Sequence, residues 1–167
     1  MVSHSTAPQS PGPQNPAPMK RDEAPPIALW LIAGAALAPF PLAALAYGWG
    51  APDVARPALT VIITWSAVIL AFLGGARWGL ESALPKPRPQ RLLISVLSPV
   101  IAWSMLLSRG RIETSWIIGG CIGAFLIQWL FDHHGPDVPA RYPRLSTALT
   151  AAACVSLAVC LDQAIKS

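Results

Sequence analysis

Charge is scarce in this sequence, and acidic charge scarcest: eight Asp and Glu stand against twelve Lys and Arg, so only 12% of the residues are charged. A soluble domain carries about 25%. A water-exposed globular surface is therefore excluded. Cysteine is nearly absent too. Cys121, Cys154 and Cys160 form no C-x-x-C pair and have no His at ligand spacing, which leaves neither a disulfide framework nor a zinc site and reads as small buried apolar residues. There is no H-E-x-x-H, no G-x-S-x-G elbow and no pair of carboxylates within an apolar stretch. Without these the chain has neither a metal-water generator nor an activated nucleophile, and the expectation is a non-enzyme without metal or cofactor. The basic residues are not interleaved with aromatics in one patch, so nucleic acid is not an expected partner.

Long apolar runs are what the sequence does have. Ala58 to Ala76 holds no charge at all, and about 20 such residues at 1.5 Å rise cross roughly 30 Å of hydrocarbon. Four further stretches resemble it. The predicted fold is all-α, a polytopic membrane bundle with five transmembrane helices over about 27–47, 58–80, 92–107, 115–131 and 145–161, and the lipid bilayer is its first partner. Residues 1–26, with seven prolines among Ser, Gln, Ala and Thr, bury too little to fold and read as a disordered tail ahead of a 27–167 membrane domain.

Within the spans, three features carry the argument. Pro39 and Pro41 in span 1 and Pro99 in span 3 each remove a helical donor, so kinks are expected, with the carbonyls of Ala35 and Leu37 freed in span 1 and the Ser98 hydroxyl able to satisfy a freed carbonyl in span 3. Small residues recur at four-residue spacing: Gly75 and Gly79 with Gly74 alongside, Gly119 and Gly123, and a ladder of Ala148, Ala152, Ser156 and Cys160. Such stripes let another backbone approach closely and predict helix-packing faces. Ala44-Leu45-Ala46 imitates a signal-peptidase site, but the prolines and the long preceding tail favour a retained span.

The third feature is polar. Arg77 and Glu81 lie four apart at the end of span 2 and can pair, while Gln128 and Asp132 share a face at the end of span 4, followed by His133. An Arg77–Asp132 pair across spans 2 and 4 is expected, because a charge beside hydrocarbon must be matched or hydrated. Asp132, His133, His134 and Asp137 suggest a metal or a proton relay, yet Gly135-Pro136 is an ordinary helix stop and a solvated cap is the simpler reading. Trp49, Trp65, Trp103 and Trp116 fall in the opposite half, either as an aromatic-lined pocket or as lipid-facing bulk.

Lys20, Arg21, Arg77, Lys86, Arg88, Arg91, Arg141 and Arg144 fall on one side of a five-span topology, and Arg56, Arg109, Arg111 and Lys166 on the other. The excess predicts a cytoplasmic N-terminus and a C-terminus across the membrane. The connection 84–91, Leu-Pro-Lys-Pro-Arg-Pro-Gln-Arg, then lies as a basic strap near anionic lipid.

Several motifs together resemble the transmembrane-protein-69-like family, also called domain of unknown function 3429. They are Ala38-Pro39-Phe40, Leu73-Gly74-Gly75-Ala76-Arg77-Trp78-Gly79, Ser95-Val96-Leu97-Ser98-Pro99 with Ala102-Trp103, and Tyr142-Pro143-Arg144-Leu145. The chain departs from that pattern at Arg141, where an aromatic is usual, and at Ser146, where a basic residue is common. The resemblance implies a small multi-span protein of a bacterial inner membrane and brings no catalytic residues. The expected function is accordingly a structural, assembly or accessory factor that packs against membrane-protein partners. The alternative is a small transport or ligand-binding protein acting as a homo-oligomer.

Overall fold

Apolar helices whose donors and acceptors are satisfied internally are the one open-chain solution for a backbone in lipid, and the computed structural model of this chain, which describes residues 27–133 and 141–166, is built of them. Its helices are α1 (Ile27–Leu37), α2 (Pro39–Trp49), α3 (Pro52–Ser82), α4 (Pro89–Leu107), α5 (Thr114–His133) and α6 (Arg141–Lys166). Taken together, α1 and α2 make one span, Trp30–Trp49, and α3 to α6 make the other four, giving five helices long and apolar enough to cross a membrane. The tail over 1–26 and the loop over 134–140, with His134 and Asp137, lie outside the described residues.

The prolines act unequally. At Pro39 the span is interrupted, although Ala38 keeps helical angles and its N–H still reaches Gly34 O at 3.1 Å. The indole of Trp65 on α3 donates to the Ala36 carbonyl at 2.8 Å, so the partner to this weakened stretch comes from a neighbouring helix and goes to the carbonyl between the two expected ones. By contrast, α4 runs unbroken through Pro99. Nor does the Ser98 hydroxyl turn back to its own helix; it bonds across the bundle, as described below.

The second span also starts earlier than its apolar run. Pro52 opens α3 at a position where a missing N–H does no harm, and Pro57 is carried inside the helix. The connection expected over 48–57 is thus reduced to Gly50 and Ala51. At the α4–α5 turn Gly110 takes a φ of 78°, a left-handed conformation that glycine enters without penalty.

Helix α3 is the hub: it packs along α2, α4 and α5, while α6 closes the bundle against α5 and α2. Phe40, Ile62, Leu70, Ile118, Phe125 and Leu157 are fully enclosed between these helices, and the rings of Phe40 and Phe125 meet edge to face with centroids 6.0 Å apart. In lipid, association draws little on water exclusion and rests on close packing and interhelical hydrogen bonds. Where the backbones come nearest therefore matters most.

Gly74 marks such a close approach. A Cβ built there would sit 2.5 Å from Ser95 O and 2.8 Å from Pro99 Cδ, so α3 rests directly on the carbonyl that Pro99 leaves without its helical donor. The proline and the glycine form one device. Gly75, Gly79, Gly119 and Gly123, expected as helix-packing positions, have nothing within 4 Å of a built Cβ inside this bundle. The reason is helical phase: Gly74 and Gly120 face neighbouring helices, and the residue next to each is turned about 100° away. On α6 the buried stripe is Ser146, Leu149, Ala153, Leu157 and Cys160, with Thr150 and Ser156 beside it; Ala148 and Ala152 lie half-buried at its edge. The small-residue ladder thus runs from the edge of the packing face at Ala148 and Ala152 into it at Ser156 and Cys160.

Candidate functional site: a buried polar cluster at one end of the bundle

Four helices bring polar side chains to the end that carries the α3–α4 connection. Spacing of four residues puts Gln128 and Asp132 on one face of α5, turned inward; both are 1% exposed. Their groups are joined in series. Ser98 on α4 donates its hydroxyl to Gln128 Oε1 at 2.6 Å, the Gln128 amide donates to Asp132 Oδ1 at 3.1 Å, and Ser146 on α6 donates to Asp132 Oδ2 at 2.6 Å. Arg77 on α3 brings Nη1 to 3.8 Å from Asp132 Oδ1. That distance is an ion pair without a hydrogen bond. The carboxylate is thus held by neutral donors on α5 and α6, while the guanidinium supplies the compensating charge.

Glu81 stands apart from this chain. Rather than turning back to Arg77, it accepts from the backbone N–H of Arg88 at 3.0 Å and from Arg88 Nε at 2.9 Å, and Arg91 Nη1 lies 4.0 Å from its other oxygen. Placed at the start of α4, its charge also meets the positive end of that helix. So the strap's arginines are tied to α3 by one acidic residue. His133 lies outside the cluster and stacks on Trp129, whose indole donates to Thr147 on α6.

Beside the cluster is a cleft of about 200 Å³ lined by Arg77, Arg91, Ile94 and Phe131. It offers room for a small ligand. At the other end Trp49, Trp103 and Trp116 are exposed and face the surroundings of the bundle, whereas Trp65 is half-buried against the core and engaged with Ala36.

Of the residues singled out in the sequence, Arg77, Gln128 and Asp132 come together, and Glu81 and His133 do not join them. Ser98 and Ser146 complete the cluster. Ser98 could be marked only as a serine beside a proline, and Ser146 only as a departure from a family pattern. Neither signal names Asp132 as the destination.

Five apolar spans, with their buried charges gathered at one end and matched, define a small multi-span integral membrane protein. The chain belongs to the DUF3429 family of proteins of unknown function, whose family model matches residues 25–161. No curated protein and no solved structure matches it.

Proposed function

We propose that this protein is a non-enzymatic assembly or accessory factor of a bacterial inner membrane, with its N-terminus in the cytoplasm and its C-terminus on the opposite side. The observation that carries this reading is the outward direction of its two G-x-x-x-G faces. Val68, Phe72, Gly75 and Gly79 share one face of α3, and Trp116 and Gly119, with Gly123, share one of α5, all turned away from the bundle. Bulky apolar residues there need nothing but lipid. A glycine pair flanked by such residues instead offers a groove into which another transmembrane helix fits at close range. The polar cluster supports the non-enzymatic side of the reading: Ser98 donates to an amide oxygen, which cannot take its proton, and the Asp132 carboxylate is occupied by Gln128 and Ser146.

The test is the mass of the protein, extracted from its own membrane in mild detergent, with co-purifying proteins identified. A complex well above the 17.7 kDa chain is expected, containing a second protein. The Gly75→Leu/Gly79→Leu variant should release that partner while keeping the melting temperature of the chain. A homo-oligomer or a monomer retaining a small molecule would replace this reading with transport or ligand binding. The orientation follows the excess of Lys and Arg at the α3–α4 end. A phosphatase fused after Ser167 should be active and a fluorescent protein there dark; the reverse pattern inverts the topology.

A further inference from the structure

We infer that the cleft between α3, α4 and α5 is a binding site for a phosphate-bearing anion, a phosphodiester or phosphate monoester held by Arg77 and Arg91 with its apolar remainder along Ile94 and Phe131. The first observation is the state of Arg77. Its side chain is 7% exposed, and Nη1 is buried without a hydrogen-bond partner, although 3.8 Å from Asp132. A guanidinium carries five donors in a rigid fork. Leaving one of them unmet in a buried place costs more than a typical hydrogen bond returns. Asp132 does not meet it, because Gln128 and Ser146 have already oriented that carboxylate toward α5 and α6.

The second observation is the cleft itself. It lies against Arg77 and is shared with Arg91, one turn into α4. Glu81 is closest to Arg88, at 2.9 Å, and reaches Arg91 only at 4.0 Å, so its charge is divided between two arginines. With Lys86 also in the strap, cations outnumber carboxylates at this end among the described residues. Two arginines lining one small space match the several acceptor oxygens of a phosphate better than the single edge of a carboxylate. At about 200 Å³ the space is smaller than the roughly 300–1,000 Å³ of drug-sized pockets. A phosphate with a short ester fits it; a nucleotide does not.

The phosphate can come from a lipid headgroup or from a free small phosphate, and one experiment separates them. The full chain, purified in detergent, is titrated with phosphatidylglycerol, phosphatidylcholine and inorganic phosphate, and bound species are read by native mass spectrometry. Phosphatidylglycerol retained over phosphatidylcholine and resistant to millimolar phosphate identifies the lipid; binding of inorganic phosphate, with no gain from the lipid, identifies the free anion. In either case Arg91→Gln should weaken binding about tenfold, the loss of one charge-assisted hydrogen bond. Arg77→Gln/Asp132→Asn, which removes both buried charges together and keeps amide groups in the network, should also abolish the preference while leaving helix content unchanged. If that pair does not fold, Arg91→Gln alone decides. Equal retention of both lipids with no phosphate bound, or wild-type binding in a folded variant, overturns the site.

Discussion

Replacing Asp132 with leucine is expected to destabilise the folded bundle by about 3–5 kcal/mol, the scale of breaking a buried ion pair from one side. The size follows from what is left behind. Arg77, 6% exposed, would keep its charge without the carboxylate 3.8 Å away, and the Ser146 hydroxyl and the Gln128 amide would each lose an acceptor in a place that water does not reach. The effect should appear as a large fall in folded yield and in the melting temperature of the detergent-solubilised protein. Asp132→Asn should be milder, since the amide oxygen can still accept from Gln128 while its NH2 donates to the Ser146 hydroxyl, which accepts as well as donates, and adding Arg77→Gln to it should recover most of the remaining loss by removing the orphaned charge. A variant pair no more stable than Asp132→Asn alone would mean that Arg77 is neutralised by something other than Asp132.

That pairing shows how much of this molecule is readable before its structure is known. Spans are legible because a run such as Ala58 to Ala76 has no alternative in water, and the Gln128–Asp132 face is legible because a four-residue spacing fixes it on a helix. Charge matching at the membrane boundary then leaves few partners for Arg77. What spacing does not give is phase against a neighbour. Gly74 and Gly75 differ by one residue and are equally small; which of them meets α4 depends on how α3 is rotated in the bundle. The G-x-x-x-G pattern drew attention to Gly75 and Gly79, whereas the close contact is made by Gly74, which belongs to no such pair with them. Ser146 illustrates the same limit. Its hydroxyl is one among many in the chain, and only the packing of α6 against α5 delivers it to Asp132.

Gly74→Ala is expected to destabilise the protein by about 1–3 kcal/mol, the cost of forcing a methyl into a filled contact, whereas Gly75→Ala is expected to leave it unchanged or stabilise it by up to about 1 kcal/mol. The two substitutions carry the same intrinsic gain in helix propensity, so their difference isolates the contact. At Gly74 the new methyl would lie 2.5 Å from Ser95 O and 2.8 Å from Pro99 Cδ, and neither atom belongs to a flexible side chain that can swing aside. Relief requires α3 and α4 to separate. Separation strips the Ser95 carbonyl of the close glycine that covers it in the absence of a helical donor, and it draws Ser98 away from Gln128, two residues that hold α4 to the polar cluster. At Gly75 a methyl meets open space. Melting of the two purified variants side by side in one detergent checks the claim, and equal shifts would show that α3 and α4 do not close on Gly74. If Pro99 is replaced by alanine, the Ser95 carbonyl regains an N–H donor and the contact surface at Pro99 Cδ is lost. The penalty of Gly74→Ala should then shrink in that background, because the glycine and the proline act as one packing unit.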